Sequence, residues 1–103
     1  MDRKTQILSL LKDNSTDIFL QYALAMEYMS ENKTSEAIDV LVAIRNQDPD
    51  YLPLYYQLAK LYEAAEQNNL AIKTYEEGMV VAQKSNDKKT LAELRSALEE
   101  LTF

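Results

Sequence analysis

The chain has 103 residues, a net charge of −6, and neither cysteine nor histidine. That length supports one small domain. The missing residue types exclude disulfides, thiol nucleophiles, thiolate or imidazole metal sites and the usual general base. Most of the negative charge lies between Ile18 and Tyr51, where six acids face Lys33 and Arg45. An acidic surface repels phosphate backbones, so nucleic acid is not an expected partner; a basic peptide is compatible with it, and so is a charge that serves solubility alone.

Apolar residues make up 47% of the chain, with one glycine and two prolines. This balance argues against disorder and against a turn-rich β fold. Abundant Ala, Leu, Glu, Lys and Gln favour helix. The expected fold class is all-α. No basic-then-apolar leader opens the chain, and no apolar run approaches the roughly 18 residues of a membrane span. The expectation is a cytoplasmic protein with no membrane contact. The sequons at Asn14 and Asn32 read as capping and turn residues rather than glycosylation sites.

In chain order, residues 2–13 set Ile7, Leu8, Leu10 and Leu11 against Asp2, Arg3, Lys4 and Lys12. The pattern predicts a short helix with its apolar residues on one side. Alone it is too brief to persist, so it must pack on the helix after it. Asn14-Ser15-Thr16-Asp17 is a run of N-cap formers. A second helix from Ile18 to about Ser30 carries Leu20, Leu24 and Tyr28, with Ala25 beside them. Glu31-Asn32-Lys33 makes a turn in which Asn tolerates a left-handed backbone. Ser35 to Gln47 forms a third helix with Ala37, Ile38, Leu41 and Ile44 inward.

Asp48-Pro49-Asp50 stops that helix, and Asp50 is placed to cap the next. Pro53 sits in the first turn of a helix from Tyr51 to about Ala65, where a missing N–H costs little. A fifth helix runs from Asn69 to about Lys84 and contains Gly78, which costs about 1 kcal/mol relative to Ala in a helix interior. A polar break at Ser85–Lys89 precedes a last helix from about Asp87 to Leu101. There Leu91, Leu94, Leu98 and Leu101 form one stripe opposite Glu93, Glu99 and Glu100.

No catalytic constellation emerges. Glu76-Glu77 and Glu99-Glu100 are adjacent in helices and diverge by about 100°. Asp13, Ser15 and Asp17 imitate the start of a calcium loop, but Ile18 and Leu24 stand where Gly and Glu are required. No glycine-rich phosphate cradle is present. The expectation is a non-enzymatic protein with no cofactor, no metal and no small-molecule substrate.

A fixed period of 34 residues links Leu58 to Leu24, Ala59 to Ala25, Tyr62 to Tyr28, Ala71 to Ala37 and Ile72 to Ile38. A helix-turn-helix with this period resembles the tetratricopeptide repeat. Tyr55, Leu58, Ala59, Tyr62, Ala71, Tyr75 and Gly78 fall on its signature positions, with Gln83 in the terminal proline slot. The upstream copy has Gln21, Leu24, Ala25, Tyr28, Ala37, Leu41, Ile44 and Pro49. The resemblance implies a small array of about two repeats with flanking helices, antiparallel helix pairs stacked as a short right-handed α-solenoid of about six helices. Its division would be a half repeat at 1–16, repeats at 17–50 and 51–85, and a capping helix at 86–103, all in one domain. Two extra residues enter before the last helix, since Leu58 to Leu94 spans 36. The family keeps a small residue at the Gly78 slot, which implies a packing role.

The resemblance also implies protein binding. Groove-facing positions of the first helices would be Phe19, Tyr22, Met26 and Met29 in repeat one, and Pro53, Tyr56, Lys60 and Glu63 in repeat two. Helical spacing independently puts Tyr22, Met26 and Met29 on one face beside the core stripe. Rigid aromatics and adaptable methionines suit a concave groove for a peptide or helix of a partner protein. The competing reading is that the N-terminal helix covers these residues as ordinary core. Family members that hold a chaperone's terminal carboxylate use Lys, Asn and Arg. Here Tyr22, Met26 and Gln57 stand in those places, with Lys60 the nearby cation, so an acidic chaperone tail is not expected. A second function class is a structural assembly unit that stacks through its repeat ends, as in a homodimer.

Overall fold

The computed structural model describes residues 2–103. Six helices occur in order: α1 (Arg3–Asp13), α2 (Ile18–Ser30), α3 (Thr34–Gln47), α4 (Pro53–Ala64), α5 (Asn68–Lys84) and α6 (Lys88–Thr102). No strand occurs among the described residues. The contacts divide the chain into two compact units, Met1–Pro49 and Asp50–Phe103.

In the first unit, α2 packs on both α1 and α3. Its core is Ile7, Leu24, Ala25, Ala37, Leu41 and Ile44. Ala25 and Ala37 are both fully buried, consistent with a helix pair that only small side chains allow to close. The Asp2 carboxylate accepts from Thr5 N–H at 2.7 Å to cap α1, and that bond holds its carboxyl below the usual range. Asp17, last of the four cap formers, does the same for α2 through Leu20 N–H at 3.0 Å. Arg3–Glu27 at 2.8 Å and Lys4–Glu31 at 3.0 Å join α1 to α2, with the Lys4 ammonium 5.8 Å from the Tyr28 ring centre.

Not all four apolar residues of α1 face inward. Ile7 is buried and Leu11 half-buried, whereas Leu8 is 40% and Leu10 53% exposed. Ile7 and Leu11 are one turn apart and share the face on α2; Leu8 and Leu10 are rotated off it.

In the second unit, α5 lies against both α4 and α6. Leu54, Tyr55, Leu58, Ala59, Ala71, Tyr75, Ala82 and Leu94 form its core. Pro53 occupies the first turn of α4. Asp50 does not cap that helix: its N-cap position is Leu52, which makes no side-chain cap bond, and Asp50 instead meets Lys84 of α5 at 3.1 Å. The helix begins at Pro53, so Asp50 lies two residues short of the position from which a side chain reaches the free amides.

Three turns share one geometry. Asn32, Glu66 and Asn86 have φ of 59°, 59° and 56°. After each, the next residue's N–H returns to a carbonyl of the preceding helix: Lys33 to Tyr28, Gln67 to Tyr62 and Asp87 to Ala82, all at 2.9 Å. These are Schellman closures, which satisfy helix-end carbonyls and need a left-handed residue. Glu66 holds that conformation without the local side-chain bonding that favours Asn there.

Gly78 is buried inside α5. A Cβ built there would lie 2.6 Å from Tyr55 Cβ and 3.1 Å from Leu94 Cδ1. Tyr55 Cβ is fixed to the α4 backbone, so relief requires moving the helix. Gly78→Ala therefore lowers stability by about 1–2 kcal/mol, overpacking outweighing a propensity gain of about 1 kcal/mol. Urea unfolding checks this: the midpoint falls, whereas Ala at an exposed helical position such as Lys73 leaves it nearly unchanged.

Candidate functional site

The second unit contains a cleft of about 390 Å³, lined by Tyr56 and Lys60 of α4 and by Ala92, Glu93, Ser96, Ala97 and Glu100 of α6. Tyr56 is 36% exposed, although its neighbour Tyr55 is buried, because consecutive residues of a helix point about 100° apart. Tyr75 of α5 stands behind Tyr56, with ring centres 6.4 Å apart and planes at 69°, an edge-to-face pair.

The Tyr75 ring is fully buried, and its hydroxyl donates to the Glu63 carboxylate. Burial, and then this bond to an anion, push the phenol well above its ordinary range. Glu63 also pairs with Lys60 at 3.6 Å, and the Lys60 ammonium sits 5.6 Å from the Tyr56 ring centre. A continuous polar chain thus runs from a core phenol to the cleft wall. Lys60 and Glu63 compensate each other, while Glu93 and Glu100 have no cationic partner among the described residues. The group can bind; nothing in it assembles a nucleophile and a base. Among the described residues no cluster of three or more acidic side chains could hold a metal ion.

In the first unit, Tyr22, Met26 and Met29 are half-buried along α2, and Phe19 is 80% exposed near its start. The ion pairs from α1 fall on Glu27 and Glu31, which leaves Phe19 clear of them. The structure brings Tyr56 and Lys60 into one cleft, with Glu63 reaching it through Lys60.

Sequence reasoning places Glu93 and Glu100 on the solvent face of a closing helix and so leaves out the α6 wall. A signal was present. With the 36-residue offset, Ala92 corresponds to Tyr56 and Ser96 to Lys60, so α6 repeats the register of α4.

A tetratricopeptide repeat family profile matches residues 28–98. The chain belongs to the tetratricopeptide repeat family. Solved relatives agree. A tetratricopeptide repeat domain protein from Salinibacter ruber, determined in solution, is 38% identical, with a TM-score of 0.79 over 82% of this chain and 86% of that one. A crystal structure of a Salinibacter ruber tetratricopeptide repeat domain protein gives 37% identity and a TM-score of 0.79, over 84% and 96%. A Bordetella parapertussis protein at 22% identity shares the fold, with a TM-score of 0.87 over 99% of this chain and 89% of that one. No protein of curated function matches. As a tetratricopeptide repeat protein the chain has a fold that generally mediates protein–protein interaction. No helix among the described residues is long and apolar enough to cross a membrane.

The Tyr75 phenol gives this repeat protein an alkaline signature. Above about pH 10 the unfolded chain's phenols ionise, while folded Tyr75 keeps its proton. The unfolded state then binds fewer protons than the folded one, so stability falls as pH rises further. Between about pH 10 and 11.5, Tyr75→Phe loses less stability relative to its own neutral-pH value than wild type does, measured as urea midpoints at each pH.

Proposed function

We propose that the chain is a non-enzymatic interaction module that takes a peptide or helix of a partner protein on the first-helix faces of its repeats. The candidate contacts are Phe19, Tyr22, Met26 and Met29 on α2, and Tyr56, Lys60 and Glu63 on α4. The observation that carries this reading is the cleft beside Tyr56: an open space of about 390 Å³ with Ser96 and Ala97 between two glutamates along one wall and a partly exposed aromatic on the other. A ring beside a hollow is what an anchor residue of a partner requires. The family's general role in protein–protein interaction supports it.

The test is affinity capture from native cell extract with three folded variants: Tyr56→Ser, the pair Tyr22→Ser with Met26→Ser, and all three together. Proteins retained by wild type are lost stepwise, most completely by the triple variant. A retained set unchanged across all three, with circular dichroism showing intact helices, moves the function to other surfaces and leaves these side chains to packing.

A second reading, assembly through the chain's own ends, is favoured by the exposed Leu8 and Leu10 of α1. Under it, mass rises with concentration in sedimentation, and Leu10→Lys abolishes the rise. A constant monomer mass up to millimolar concentration removes this reading.

A further inference from the structure

The uncompensated charges of the cleft specify the partner further, provided that the chain is an interaction module. On α6, Glu93, Ser96, Ala97 and Glu100 all line the cleft. Their spacing puts them on one stripe: seven residues make nearly two full turns, so the two glutamates are set about 10 Å apart along the helix axis. Between them are only the hydroxymethyl of Ser96 and the methyl of Ala97. Opposite stand Tyr56 and Lys60, whose charge is already engaged by Glu63 at 3.6 Å. With that pair cancelling, Glu93 and Glu100 leave the cleft at −2.

Two glutamates with no third acidic side chain beside them among the described residues fall short of a metal site, which takes more oxygen ligands than they supply. They match two separate cations instead. In a polyproline II segment, residues i and i+3 point the same way and are about 9 Å apart. An extended segment presents two side chains at this spacing within four residues, whereas a helix needs eight.

We propose that this cleft binds an extended, basic segment of a partner protein, with cationic side chains at i and i+3 meeting Glu93 and Glu100 and their stems lying over Ser96 and Ala97 beside the Tyr56 ring. The chain's net charge of −6 draws such a segment in. An arginine suits each position, since its guanidinium forms paired bonds to a carboxylate and its stem covers apolar surface.

The probe is the blocked hexapeptide acetyl-Ala-Arg-Pro-Pro-Arg-Ala-amide, titrated into isotopically labelled protein and followed by amide chemical shifts. Two controls carry Gln or Glu in place of both arginines. The amides of Tyr56, Glu93, Ser96, Ala97 and Glu100 shift saturably with the arginine peptide and not with the Glu peptide. Glu93→Gln and Glu100→Gln each weaken binding about two- to fivefold, as expected for exposed ion pairs, and the double variant weakens it by about the product. Glu76→Gln removes the same charge from an exposed position on α5 and changes nothing. Both cleft glutamates are exposed, and the same spectra report that each variant is folded.

Three results overturn the inference: no shift with the arginine peptide, equal binding of the Gln peptide, or an equal loss with Glu76→Gln. The interaction reading falls separately. A partner released by Tyr56→Ser but held by the Glu93→Gln, Glu100→Gln double variant sinks the basic segment and keeps the interaction surface. A partner held by every variant sinks both.

Discussion

A side chain that is not there governs the second unit. At Gly78 the α5 backbone comes so near α4 that a methyl group would sit 2.6 Å from Tyr55 Cβ, while Leu94 of α6 fills the remaining space at 3.1 Å. Three helices meet at this point, and each contributes what the others leave room for. The intrinsic cost of glycine in a helix is about 1 kcal/mol, and it is offset by the burial this closeness permits. Tyr75, one turn earlier on α5, becomes fully buried as a result, and Leu94 with it.

Burying Tyr75 carries an obligation, since a phenol taken from water needs a partner. Glu63 supplies it, and is in turn held by Lys60, which rests over Tyr56. Packing in the core therefore decides which charges the cleft presents. Lys60 is the cation a sequence reading would offer to a ligand, but it is spent on Glu63. The charges left over come from α6 and are both negative.

The repeat period, the buried Ala25, Ala37, Ala59 and Ala71, and the role of Gly78 were all legible in the sequence, because small residues at fixed spacing have one physical use in paired helices. The six helices arise from the same spacing and from caps such as Asp2 and Asp17. The features that escaped depend on rotation and reach. Leu8 and Leu10 match Ile7 and Leu11 in hydrophobicity but not in angle. Asp50 has the right chemistry for a cap and lies too far from the helix start. Glu66 gives no hint in its side chain that it adopts a left-handed backbone; only its place 34 residues after Asn32 does. The α6 wall escaped because a charged stripe reads as solvated surface until the helix opposite is placed.

The two repeats also solve one packing problem by different means. At the first signature position the second repeat has Tyr55, buried against Gly78. The first repeat has Gln21, whose amide donates to Ser15 O at 2.7 Å and to Gln47 Oε1 at 3.3 Å, tying the start of α2 to the end of α3. A ring contributes area and demands a glycine to receive it; an amide contributes directed bonds and demands none. Ile44 stands in the first repeat where Gly78 stands in the second, and it is fully buried. Tyr22 stands in the first repeat where Tyr56 stands in the second, but Leu41 takes the place of Tyr75, so the polar chain from a buried phenol to the cleft belongs to the second repeat.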